Sequence, residues 1–282
     1  MVLYVYFNDE DHFPDVESFE KLWSALGVFR EKTVVGAFWQ HGNPALSVES
    51  SRCRRMRLGD LAVFQISGLN RRLPVFGGGV HTKKTAAIPH RDSDFNVTMA
   101  EASRGVEGPS LPSFMLGISD QWMKLISETA MLELLQRIFS ILDQFKPRYG
   151  FIDFASADSA YIGLAYSPMI TGNAPLNRYV EEATWAHHVS EGNLRVRSIY
   201  WGNYFNRQIL NKLSENSCVV SEYRNATRSN DGSKHAHIWE FQNGAFFSLS
   251  RSLEDVRPGN AMTLVQHQML WLHKYLFAAG LI

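Results

Sequence analysis

The chain has 282 residues, of which 45% are hydrophobic, 20% charged and 12% aromatic. That is enough apolar surface for a substantial core, and it excludes wholesale disorder. Lys plus Arg is 28 and Asp plus Glu is 28, so the formal net charge is zero and no long-range field draws the chain to nucleic acid or an anionic membrane. Two cysteines, Cys53 and Cys218, are too few for a secreted disulfide scaffold and read as reduced thiols.

Val2 to Phe7 reads as a strand. The N-terminal run lacks a basic region and meets acids too early for a signal peptide. Asp15 can cap a helix whose apolar stripe is Val16, Phe19, Leu22, Trp23 and Leu26, with Gly27 as its stop. Thr33 to Trp39 follows as a second strand. Leu61 to Ile66, Phe95 to Met99 and Phe114 to Ile118 carry further strand patterns. Between the first two of these, RRLPVFGGGVHTKKTAAIPHRD is rich in Gly, Pro and charge and is expected to be a long loop.

Gln121 to Phe145 is the clearest helix, with Leu125, Leu132, Leu135, Phe139 and Leu142 at helical spacing, a break near Ser127 or Glu128, and Pro147 as its end. Tyr149 to Phe154 then reads as a strand like the first, and Asp158 to Asn177 as a loop. Leu194 to Leu213 is expected to be the centre of the second half. There Val196, Ile199, Tyr200 and Trp201 form a strand with Trp201 in the core. Gly202 and Asn203 make a corner, and Phe205, Ile209, Leu210 and Leu213 line a helix. Cys218 to Tyr223, Ala236 to Phe241 and Ala245 to Ser250 are expected strands, the last two joined by a hairpin at Asn243–Gly244. Pro258 opens a final helix with Met262, Val265, Met269, Leu272 and Leu276 on one face. That segment is broken by His267, Gln268, His273 and Lys274, so it is no membrane span, and the expected compartment is the cytoplasm.

The expected fold is α+β: mixed or antiparallel sheets with long packing helices. It is read as a single domain over 1–282, with a structural pseudo-repeat of halves 1–146 and 147–282 as the alternative.

Chemistry is sparse. His235 and His237 lie two apart on an expected strand, so both rings could reach one metal, with His187, His188 or Cys218 as a further ligand. That pair is the basis of the alternative reading, a metal-dependent hydrolase. Gly77, Gly78 and Gly79 before Lys83 and Lys84 do not match a phosphate-binding loop. There is no G-x-S-x-G elbow, C-x-x-C or H-E-x-x-H. Arg52, Arg54, Arg55 and Arg57 form a basic run without interleaved aromatics, which reads as a solvated edge and not a nucleic-acid platform. The opposite patch is Asp9, Glu10, Asp11, Asp15, Glu17 and Glu20, with Phe13 and Phe19 among them. Acids suit the first turn of a helix, and they also suit a basic protein partner, whose association a complementary field accelerates.

The segments VVGAFWQHGNPALS and VEEATWAHHVSEGNLRVRSIYWGNYFNRQILNKL, with a strand pair and a closing helix after them, resemble the immunity proteins of bacterial polymorphic toxin systems, most nearly the immunity protein 52 family. The resemblance implies a protein that is not an enzyme and holds no cofactor. It implies tight binding to a cognate toxin encoded by a neighbouring gene, with no direct nucleic-acid or membrane contact. For this family the expected toxin is a nuclease, a DNase of the restriction-endonuclease-like type, delivered by type VI secretion. On that reading the acidic stretch Asp9 to Glu20 is the expected partner-binding surface.

Overall fold

The computed structural model describes residues 1–8, 22, 33–40, 75–82, 95–100, 103–105, 108–118, 123–124, 126–153, 185–215, 218–227, 236–256 and 263–282. The chain divides into two compact units, one of Met1–Ser103 with Pro112–Phe145, the other of Arg104–Leu111 with Lys146–Ile282. The fold is α+β, with antiparallel sheet and 16-residue helices.

In the first unit β1 (Val2–Tyr6), β2 (Thr33–Gln40), β3 (Val75–Thr82), β4 (Phe95–Ala100) and β7 (Ser113–Ile118) pair in the order β1-β7-β4-β3-β2, all antiparallel. Two three-residue strands, β5 (Ser103–Gly105) and β6 (Gly108–Ser110), fall between β4 and β7 in sequence. In β7 Phe114, Leu116 and Ile118 are buried and alternate with half-buried Ser113, Met115 and Gly117, the two-residue period of a strand. The expected loop over 71–92 is corrected here: Val75–Thr82 is an inner strand, with Gly77 opposite Trp39 on one side and Thr98 on the other. Ladders on both sides satisfy the backbone of the glycine run, a tertiary effect that composition does not reveal. Leu61–Ile66 and most of the expected helix after Asp15 lie outside the described residues; Leu22 is helical and buried.

Helix α1 (Glu128–Asp143) starts where the sequence marks a break. Ser127 is its N-cap, with Oγ accepting from the Ala130 N–H at 3.2 Å. Its inner face is Met131, Leu134, Leu135, Ile138, Phe139 and Leu142, and Pro147 follows its end.

In the second unit β8 (Tyr149–Asp153), β9 (Gly202–Asn206), β10 (Ile238–Glu240) and β11 (Gly244–Ser248) pair in the order β8-β9-β11-β10. A short helix occupies 185–190. Then come α2 (Arg207–Leu213), α3 (Val219–Ala226), a 3-10 turn at Leu253–Val256, and α4 (Thr263–Ala278).

The corner expected at Gly202–Asn203 is displaced. Residues 193–200 run without regular structure, and Gly202, Asn203 and Phe205 belong to β9, so α2 begins at Arg207. Side-chain hydrogen bonds decide this. Asn203 Oδ1 accepts from the Tyr200 N–H at 3.0 Å and its Nδ2 donates to the Tyr200 carbonyl at 2.8 Å, an alternative to ladder bonds for the Tyr200 backbone. Asn206 then caps α2, accepting from the Ile209 N–H at 2.9 Å. The expected strand at Cys218–Tyr223 is likewise α3: Val219 and Tyr223, four apart, are its buried face.

The hairpin expected at Asn243–Gly244 is present as β10–β11, closed by the Phe241 N–H to the Gly244 carbonyl at 2.9 Å. Arg207 clamps the loop, donating to the carbonyls of Phe241 at 3.1 Å and Gln242 at 3.2 Å. Gly244 is there for close approach: a Cβ would sit 2.5 Å from the Phe205 carbonyl oxygen and against the Tyr204 hydroxyl. Gly244→Ala is therefore expected to destabilise the fold by about 1–3 kcal/mol, the usual range for overpacking. A lowered urea midpoint checks this, and an unchanged midpoint contradicts the close packing.

Candidate functional site

The acidic stretch Asp9, Glu10, Asp11, Asp15, Glu17 and Glu20 lies outside the described residues, as do His235, Cys53 and the arginine run. His237 is described. Its N–H donates to Ser248 Oγ at 2.7 Å, and its Nε2 lies 2.8 Å from the Arg251 carbonyl. A carbonyl only accepts, so Nε2 carries the proton and Nδ1 alone remains to ligate. His187 and His188 are on the 185–190 helix, both beside Glu191, at 3.4 and 3.8 Å. Among the described residues no three His, Cys, Asp or Glu side chains converge as a metal site would need.

The serines near His237 are occupied structurally. Ser248 Oγ donates to the Ser250 carbonyl and Ser250 Oγ to the Ser252 carbonyl, each at 2.7 Å, while Ser250 Oγ accepts from the Trp201 indole at 2.9 Å. The protons of both hydroxyls are thus committed to backbone carbonyls. These bonds tie the chain around the end of β11 to itself and to Trp201.

The contacts among α3, α4 and β10 are different in kind. Tyr223 is fully buried; its hydroxyl donates to the Ser248 carbonyl at 2.8 Å, and burial pushes its ionisation far above the usual phenol range. Its ring meets Phe247 edge-on at 5.3 Å and Trp271 at 5.0 Å. Trp271 in turn lies 4.2 Å from Tyr275, whose hydroxyl donates to Glu222 at 2.6 Å. That bond, chiefly, raises the Tyr275 pKa. Arg224 pairs with Glu240, tying α3 to β10, and Trp239 stacks on Phe246 at 4.5 Å. Half-buried aromatics next to fixed charges suit recognition of a protein surface, where Trp, Tyr and Arg carry a large share of binding energy. The band offers contacts and no reacting constellation.

The sequence pattern marks Val265, Met269, Leu272 and Leu276 on α4, and all four are buried. It passes over Leu270 and Phe277, which are exposed on the opposite side. A signal existed: over Thr263–Ala278 apolar residues fall on both faces, so α4 is not amphipathic in the way α1 is.

No family model and no curated protein matches the chain. Among solved structures it is similar to the Pseudomonas aeruginosa T6SS protein PA0821, with a TM-score of 0.55 and 14% identity, over 95% of this chain and 75% of that one. At that identity the likeness is one of fold. No helix among the described residues is long and apolar enough to cross a membrane.

Cys218 is exposed at the start of α3, with its thiol 3.3 Å from Ser221 Oγ. Hydrogen bonding to the Ser221 side chain, then to its backbone, lowers the Cys218 pKa. With Cys53 replaced by serine, Ser221→Ala is expected to move the midpoint of the alkylation-rate profile to higher pH and slow alkylation near neutrality. Superimposable profiles contradict that cause.

Proposed function

We propose that this protein is an immunity protein that binds a cognate secreted toxin and neutralises it stoichiometrically. The observation that carries the reading is the fold likeness to a T6SS protein along 95% of the chain. It joins the resemblance of the Val34–Ser47 and Val180–Leu213 segments to the immunity protein 52 family. On this reading the protein is not an enzyme, needs no cofactor and works in the cytoplasm, where its target, a DNase, acts. Its partner is the product of a neighbouring gene, and it touches neither nucleic acid nor membrane directly. On this reading inhibition proceeds by contact, through occlusion of the toxin's active site or capture of an inactive arrangement.

Co-expression is the test. Cells making the neighbouring toxin are expected to stop growing, and to recover when this protein is also made; continued arrest contradicts the proposal. The acidic stretch gives a kinetic expectation. Replacing Asp9, Glu10 and Asp11 together by serine should slow toxin association and flatten its dependence on salt, because complementary charge acts mainly on the on-rate. Unaltered association kinetics remove that stretch from the interface.

A further inference from the structure

The two 16-residue helices differ on their outer faces. The exposed residues of α1 include Glu128, Thr129, Glu133, Gln136, Arg137 and Ser140, all polar. On α4 the exposed residues include Leu270 and Phe277, which are 55% and 69% exposed and are the exposed large apolar side chains among the described residues. They are seven apart, two turns, and so lie on one line about 10 Å long. Lys274 stands between them and His267 one turn before, both exposed, while His273 stacks beside the Phe277 ring at 6.1 Å. No carboxylate occurs anywhere in Thr263–Ala278. The end of the helix is fixed in place. Gly280, at φ +66°, donates to the Phe277 carbonyl at 2.9 Å, and Leu281 donates to the Leu276 carbonyl at 2.9 Å. The Leu281 carbonyl then accepts from Val196 at 2.9 Å. The Phe277 backbone is thus preorganised, which lowers the entropy lost on binding.

We infer that the outer stripe of α4, with Leu270 and Phe277 as anchors and Lys274 between them, is a docking surface for an acidic protein face bearing an apolar depression. The occupant follows from complementarity: two large apolar side chains need a pocket, and a stripe with a lysine and no carboxylate favours acidic groups around it. The inference rests on the immunity reading and makes the cognate toxin that partner. The experiment measures binding of the full chain to the purified neighbouring toxin, unaltered, as Leu270→Ser with Phe277→Ser, as Phe277→Ser alone, and as Lys274→Glu. Both apolar side chains are solvent-facing, so thermal unfolding should be unchanged. The double variant is expected to bind at least about tenfold more weakly, chiefly through faster dissociation, and Phe277→Ser to show part of that loss. Lys274→Glu is expected to slow association. Retention of full affinity by the double variant overturns the inference. So does sedimentation showing a dimer that the double variant abolishes, since a second copy would then be the occupant. Absence of any complex with the unaltered chain contradicts the immunity reading instead, and the two failures are thereby distinct.

Discussion

The second unit depends on where the indole of Trp201 finds its hydrogen bond. The ring is fully buried, and its N–H reaches Ser250 Oγ at 2.9 Å and the Ser252 carbonyl at 3.2 Å. The Trp201 carbonyl accepts from Leu249 at 2.7 Å. A buried N–H left unpaired costs about 1–3 kcal/mol, so the chain leaving β11 is constrained to return along the chain entering β9. Two residues on, Asn203 closes both ends of its amide on Tyr200, and the Tyr200 ring stacks on Phe151 of β8 at 3.8 Å. The register of β8, β9 and β11 follows from these contacts, with Phe151 opposite Asn203 and Asn203 opposite Phe247. Asn206 then starts α2, and Tyr223 of α3 is anchored to Ser248.

That framework uses its polar groups internally. Ser248, Ser250, the ring of His237 and the amide of Asn203 hold the backbone of this unit. What the unit turns outward is aromatic and charged: Trp239 at the sheet edge, the Trp271–Tyr275 pair, and the stripe of α4. Aromatic and charged groups of this kind fit the contact-based inhibition proposed above.

Much of the fold was legible because its signals are local. The break near Ser127, the stripe Leu135–Phe139–Leu142 and the inner face of α4 are signalled by neighbouring residues alone. Strands β1, β2, β4, β7 and β8 stand within a residue or two of where alternation and β-branching put them. The failures are tertiary. Gly77 to Gly79 look like a loop until two neighbouring strands supply their hydrogen bonds. Val219 and Val220 favour a strand by propensity, and burial of Val219 with Tyr223 makes a helix. Gly202 and Asn203 resemble a turn because the side-chain bonds that hold Asn203 in β9 cannot be read from residue type. For function, alternation marks which residues are inside and says little of Leu270 or Phe277, whose meaning depends on being outside. The acidic stretch and His235 lie outside the described residues.

The central claim is neutralisation by stoichiometric binding, and a titration tests it most directly. The purified toxin's nuclease activity is followed as this protein is added at concentrations well above the dissociation constant. The account predicts a linear fall to zero at a fixed molar ratio, unaffected by chelators added to this protein beforehand and then removed. Loss of toxin activity at far below that ratio, growing with incubation time, would mean catalytic turnover, and full activity at excess would mean no inhibition; either contradicts the account.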